Sequence, residues 1–313
     1  MTTGTQDSVP GPPVIAIVGP TASGKSDLGI RVARSLRGEI INADSMQVYV
    51  GMDIGTAKLS RQARGEITHH LLDEWPVSHS VTVAEYQGHA RSVVDELRSV
   101  GTTPVLVGGS GLYVRAVVDD LRFPGTDPIV RARLEAELED LGSGVMHTRL
   151  AALDPAAGSA ILPSNGRRIV RALEVIEMTG TFTATLPDEG QAHDFYPAVR
   201  IGLDIPRDVL DARIEARVDA MWEHGLVDEV RQLVASGLRA GRTASRALGY
   251  AQVLRYLDGD LSEAQARDET VRLTRRFARR QDSWFRRDNR VVWLGWDSPD
   301  LLAQSVAVIK QFS

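Results

Sequence analysis

Short apolar runs alternate with amphipathic stretches through the first third of the chain, and the two periods predict different elements. VIAIVG (14–19) reads as a buried strand, followed by a glycine-rich turn and a helix from about Lys25. GEIINADS (38–45) reads as a second strand ending in an aspartate, and TTPVLVGGSG (102–111) as a third ending in glycines. Between them, TVAEYQGHARSVVDELRSVG (82–101) repeats its apolar positions every three to four residues and stops at Gly101, which predicts a helix. RIGLDI (200–205) and RVVWLGW (290–296) read as later strands of the same sheet. Strand, turn, helix, strand in that order predicts an α/β fold, a parallel sheet with helices on both faces.

The pattern changes between residues 123 and 197. DPIVRARLEAELEDLG and NGRRIVRALEVIEMTG carry a helical period, strand candidates are few, and a Pro/Gly-rich seam lies at each end. The expectation is a helical insertion domain (123–197) within an α/β core made of 14–122 and 198–313. Residues 1–13 read as a loose leader.

Composition narrows the class. At 313 residues and 43% hydrophobic, the chain can bury one large core plus a smaller one. No apolar run approaches 18 residues and the N-terminus is no signal peptide, so a cytoplasmic protein without a membrane partner is expected. Cysteine is absent, which removes disulfides, thiolate zinc sites and a cysteine nucleophile. The net charge of −5 gives no hint of nucleic acid, yet its distribution does. Lysine occurs only at Lys25, Lys58 and Lys310, and arginines crowd into RRIVR (167–171) and RLTRRFARRQDSWFRR (272–287). Arginine suits forked contacts to phosphate and stacking on bases, although solvated helix faces look the same.

The candidate chemistry begins at GPTASGKS, which fits G-x-x-x-x-G-K-[ST] after a strand and before a helix, the context a phosphate cradle requires. Gly19, Pro20, Thr21, Ala22, Ser23, Gly24, Lys25 and Ser26 form the expected diphosphate or nucleotide site. Backbone N–H groups and a helix N-terminus face the ligand, Lys25 supplies charge, and the Ser26 hydroxyl suits Mg²⁺. Nucleotide hydrolysis or phosphoryl transfer would also call for an acid at the end of a Walker-B strand. VLVGGSG ends in glycines instead, and Asp44 is the strand-terminal acid expected beside the cradle. Position alone leaves Asp44 open between a general base, a Mg²⁺ partner and a turn cap.

DSMQVYVGMDIGTAK (44–58) settles the direction. It resembles the hallmark of the tRNA dimethylallyltransferases, and HHLLDEWP, VGGSGLYVRAV, RRIVRALEV, RIEARVDAMWEHGLVDEV, ALGYAQ and RRFARRQDSWFR follow in the order that family shows. The resemblance covers nearly the whole chain after residue 13. It implies a prenyltransferase that moves a dimethylallyl group from dimethylallyl diphosphate to N6 of adenosine 37 in tRNAs reading codons that begin with U. The cradle would then hold the donor's diphosphate with Mg²⁺ on Ser26. Asp44 would take the proton from N6, Ser110 would bond the diphosphate or the base where the family usually has threonine, and Arg217 would match the essential arginine of the string RIEAR.

The resemblance further implies tRNA contacts at Asp44, Ser45, Met46, Gln47 and Ser110. It adds Arg131, Arg167, Arg168, Ile169, Val170, Arg171, Arg246, Gly249 and Tyr250. The base would be extruded into a channel between the core and the insertion. Arg167 and Ala251 depart from the family's usual glutamine and larger polar residue. His69 and His70 are expected to be structural edge residues, since adjacent strand positions face opposite ways. The expected partners are the tRNA anticodon stem-loop and the prenyl donor, acting on a monomer. Three other readings share the cradle: an adenylate isopentenyltransferase using free AMP, a small-molecule kinase, and an RNA-binding nucleotide switch. The arginine-bearing helices favour tRNA over AMP, and the missing Walker-B acid weighs against the last two.

Overall fold

The computed structural model describes residues 11–182 and 193–312. The chain divides into two units, one of Met1–Leu121 with His193–Ser313 and one of Arg122–Ala192. The first opens with β1 (Val14–Val18), α1 (Lys25–Leu36), β2 (Gly38–Asn42), α2 (Arg61–Arg64), β3 (His69–His70), α3 (Val83–Ser99), β4 (Thr103–Gly108) and α4 (Gly111–Val118). The second holds α5 (Pro128–Leu153), α6 (Pro155–Ala160) and α7 (Gly166–Thr179). The first then resumes with β5 (Ala198–Asp204), α8 (Arg207–Glu223), α9 (Leu226–Ala235), α10 (Tyr250–Leu257), α11 (Glu263–Phe285), β6 (Val291–Gly295) and α12 (Leu301–Gln311).

The six strands form one sheet in the order β3-β2-β4-β1-β5-β6, parallel throughout. Strand alternation sorts β1 between two cores. Val14, Ala16 and Val18 pack with Tyr86, Ala90 and Val94 of α3 and with Val114 and Val117 of α4. Ile15 and Ile17 pack on the other face with Leu28, Val32 and Ala33 of α1 and with Leu301 and Ile309 of α12. A third core lies off the sheet, where Val48, Tyr49 and Met52 meet α8, α9 and α10. The expected helices over 25 onward and 82–101 both form. A Thr82–Glu85 capping box starts the second, with each side chain bonding the other's backbone N–H.

The insertion packs around Leu134, Met146, Leu150, Ile169, Val170 and Leu173. Asp127 caps α5 through the amides of Ile129 and Val130, with Pro128 at its first position. Gly142, with φ 79°, breaks α5 where the sequence pattern stops, and a second helical run continues beyond it.

Two expected boundaries shift. Residues 1–10 of the expected leader lie outside the described residues, but Gly11 and Pro12 are held. The buried Arg98 guanidinium donates to Pro12 O at 3.0 Å and Gly11 O at 3.4 Å. The insertion ends before 197, because Tyr196 is buried in the first unit and its hydroxyl donates to Asp95 at 2.7 Å. Beside it, the Arg91 guanidinium covers the Phe195 ring at 3.6 Å.

Candidate active site

The cradle is built for an anion. Gly19 and Gly24 take φ of 145° and 99°, conformations that other residues rarely adopt, and so turn the loop into α1. The N-terminus of α1 carries no side-chain cap, which leaves its first amides directed at open space. The Ser23 hydroxyl is buried without a partner, a donor waiting for an acceptor. The Ser26 side chain lines the same cavity. Lys25 donates to Pro20 O at 3.1 Å. Burial pushes its ammonium down to about 8; Asp44 opposes that shift and Arg217 adds to it. Arg217 reaches the same place from α8, donating to Thr21 Oγ1 at 3.3 Å, and burial lowers its pKa as well.

The cradle has a clamp that sequence reasoning missed. Gln281 of α11 is 5% exposed, accepts from the Thr21 N–H at 2.8 Å and donates to Gly109 O at 2.8 Å. The signal was present, since Ala278, Gln281 and Phe285 share the buried face of an arginine-rich helix, a register in which a polar residue needs a partner. The same clamp explains why β4 runs into glycines. A Cβ on Gly109 would sit 2.3 Å from Gln281 Nε2, and one on Gly108 would sit 2.1 Å from Ala43 O.

Asp44 lies two residues past β2, and β4 separates β2 from β1, so it belongs to the next strand but one rather than to the cradle's neighbour. The acid that does end a neighbouring strand is Asp204 on β5. It is exposed, pairs with Arg286 and lines neither cavity described below, which corrects the expectation that Asp44 is the only acid at such a position. Asn42, 4% exposed, holds the Asp44 turn. Its Oδ1 accepts from Asp44 N at 3.0 Å, and its Nδ2 donates to Asp44 O at 3.1 Å and Leu71 O at 3.0 Å. Asp44 Oδ1 accepts from Met46 N at 2.9 Å, so one carboxylate oxygen does cap the turn. Ser110 does not cap α4 with its side chain; its Oγ accepts from Ser45 N at 3.1 Å and lies 3.2 Å from Ser45 Oγ, tying the β2 and β4 ends together.

Two cavities meet at this point. One, of about 270 Å³, contains the cradle with Lys25, Ser26, Gln47, Arg213 and Arg217, and extends to Ile40, Leu59, His69 and Leu72. The other, of about 330 Å³, is lined by Met46, Met221, Leu248 and Phe277 together with Thr243, Arg246 and Arg280. Thr21, Asp44, Thr56, Ala57 and Arg217 line both. The Thr56–Ala57 wall is fixed from behind by Glu229, also unforeseen. Its carboxylate accepts from the amides of Asp53, Ile54 and Gly55 at 3.2, 2.7 and 3.2 Å and from the Tyr250 hydroxyl at 2.6 Å. Lys58, its side chain 2% exposed, adds bonds to Tyr49 O, Asp53 and Asp73.

The remaining expected residues divide. Arg246 is exposed at the second cavity. Tyr250 is buried with its hydroxyl on Glu229 and also lines the second cavity, and Gly249 donates its N–H to the Gln252 side chain. In the insertion, Ile169 and Val170 are core residues. Arg131 and Arg171 both bind the fully buried Glu174, and Arg171 also donates to Pro124 O and Gly125 O. Arg167 and Arg168 are exposed on the first turn of α7. His69 and His70 make the edge strand, one ring on Ile67 O and the other on Glu39. Among the described residues no group of three or more His, Cys, Asp or Glu could hold a metal ion, and no helix is long and apolar enough to cross a membrane.

The profile of the family described as IPP transferase matches residues 47–288. A tRNA dimethylallyltransferase of Thermobifida fusca (strain YX) is 62% identical over 306 residues, covering 96% of this chain and 95% of the relative. One of Streptomyces avermitilis is 64% identical over 293 residues, covering 93% of each. Among solved structures, the full-length tRNA isopentenylpyrophosphate transferase of Bacillus halodurans is 39% identical with a TM-score of 0.71, over 96% of this chain and 97% of that one. A eukaryotic dimethylallyltransferase, solved acting on tRNA, is 25% identical with a TM-score of 0.78, over 95% of this chain and 78% of that one.

Proposed function

The chain belongs to the IPP transferase family, and from that premise we propose that it transfers the dimethylallyl group of dimethylallyl diphosphate to N6 of adenosine 37. The substrates are tRNAs reading codons that begin with U, and diphosphate is released. The observation that carries this reading is the pair of cavities joined at Asp44. One has the cationic cradle a diphosphate needs. The other is apolar, with threonines and arginines at its edge and the size an extruded base needs.

The chemistry follows from the walls. The C–O bond of the donor breaks and its electron pair leaves with the diphosphate. The loop amides, Lys25 and Arg217 stabilise that growing charge. N6 attacks the allylic carbon, and its proton passes to the Asp44 carboxylate. Met46 N and the Asn42 amide hold that turn in place. Asp44 need only lie within hydrogen-bond reach of N6, because an amine that has begun to bond carbon is acidic. The donor set also fits Mg²⁺ carried in by the diphosphate. Ser26 Oγ is a hard oxygen ligand at the helix end, and with no carboxylate group of three nearby the remaining ligands would be diphosphate oxygens and water. Bound there, Mg²⁺ would neutralise the leaving group. A cytoplasmic, monomeric enzyme belongs to the same reading.

The test mixes the protein with dimethylallyl diphosphate, Mg²⁺ and either an anticodon stem-loop containing A36–A37–A38 or AMP. Nucleoside analysis should find dimethylallyl-adenosine in the RNA. Product from AMP alone would make it an adenylate isopentenyltransferase, and no prenylated adenosine from either would end the proposal.

A further inference from the structure

Among the described residues Arg213 has no carboxylate partner, unlike several arginines on its helix and on the facing helix. Arg207 pairs with Asp211, Arg275 with Glu215 and Arg267 with Asp219. Arg213, half-buried, has neither a hydrogen bond nor an ion pair among the described residues. It lies one turn before Arg217 on α8 and lines the cradle cavity. Its Nη2 is 3.9 Å from where a Cβ on Gly24 would stand, beside the glycine that opens α1. The guanidinium is held there by an aromatic face: Trp296 lies 5.0 Å below it. The Trp296 backbone is anchored in turn, its main-chain N–H donating to Asp204 O at 3.0 Å where β5 and β6 end. An arginine oriented by stacking keeps all five of its donors available. Lys25, Arg213 and Arg217 share the cavity lining with two carboxylates, Asp44 and Asp27, and Asp27 is already paired with Arg31 at 3.0 Å, which leaves a cationic excess in the cavity.

We propose that Arg213 is a second guanidinium clamp on the diphosphate, facing Lys25 across the cradle mouth, and that Trp296 is its positioning residue. The assignment rests on the diphosphate reading above and adds a group that acts from the α8 side. As the C–O bond breaks, the leaving oxygens gain negative charge, and a forked guanidinium meets two of them at once. Arg213 therefore contributes to donor affinity and also to turnover.

Binding of inorganic pyrophosphate with Mg²⁺, measured by calorimetry, tests this directly. Arg213→Gln should weaken binding by about tenfold to a hundredfold, the usual span for losing a charged hydrogen-bond partner. Arg213→Lys should fall between, because a point charge restores attraction but not the fork. Trp296→Leu should weaken binding several-fold and Trp296→Phe should not. The double variant Arg213→Gln, Trp296→Leu should bind no worse than Arg213→Gln alone, which a merely structural tryptophan would not produce. Wild-type protein that fails to bind pyrophosphate overturns the functional reading and this inference together. Wild-type binding that survives Arg213→Gln unchanged overturns this inference alone, as does a loss confined to RNA affinity, which would make Arg213 a contact to RNA phosphates.

Discussion

Lys25 should cost the folded protein stability whenever no anion is bound, and replacing it should show this. Burial takes its ammonium from 10.5 in a free chain to about 8. Such a shift corresponds to about 3 kcal/mol of destabilisation while the lysine is charged in both folded and unfolded chains. Lys25→Met keeps the length of the side chain and removes the charge. It also loses the bond to Pro20 O, worth about 1 kcal/mol, so a net gain of about 2 kcal/mol is expected at pH 7. That gain should raise the melting temperature by about 3 °C for a chain of this size. The sign fixes the pH window. Below about 8 both states hold the proton and the penalty is complete. Between 8 and 10.5 the folded state has already shed its proton and the penalty fades, so by pH 10 most of the advantage of methionine should be gone. The assay is a pair of thermal melts, at pH 7 and pH 10, of wild type and Lys25→Met without added donor, followed by pyrophosphate calorimetry. A variant no more stable than wild type at pH 7, or one with the same gain at both pH values, would refute the argument from burial. The stabilised variant should also lose pyrophosphate binding.

Three other outcomes follow from the geometry. Asp44→Ala should reduce kcat by about 10²–10⁴-fold with RNA affinity close to wild type in a filter-binding assay, since it removes the proton acceptor and leaves the arginines; turnover near wild type would take the base role from Asp44. Gln281→Leu leaves the Thr21 N–H and Gly109 O unpaired in the interior. It should cost about 2–4 kcal/mol in urea unfolding and raise the donor KM more than the RNA KM; equal changes would mean that the clamp does not shape the cradle. Arg200→Met breaks a buried cluster in which Arg200 contacts Asp119, Asp194 and Asp288. It should cost about 3–5 kcal/mol with donor KM unchanged, a loss below 1 kcal/mol showing that Arg115 and Arg290 suffice to hold Asp119.

What could be read from the sequence was what depends on local pattern. The buried run of β1, the glycine turn and the helix beginning at Lys25 are each specified within a few neighbours. The cradle therefore stood out before any packing was known. Strand order was not readable, because nothing local to GEIIN or TPVLVG says that β4 inserts between β1 and β2. That is why Asp44 was expected one strand too close. Gln281 and Glu229 were missed for a related reason. Each acts on backbone amides more than 170 residues away, through contacts such as Gln281 to Gly109 and Glu229 to Asp53, and no spacing rule connects such positions. Ile169 and Val170 differ from expectation in the opposite direction. A motif match carries position and not orientation, so residues in a matching string can belong to the interior and support a site by packing alone. The arginines show both cases on one helix. Arg217 was expected from the family string and sits on Thr21, whereas Arg213, equally visible in that string, acquired its meaning from the Trp296 ring brought in by β6, the last strand of the sheet. A four-residue spacing put both on one face of α8, but only the fold could show that this face looks into the phosphate cradle.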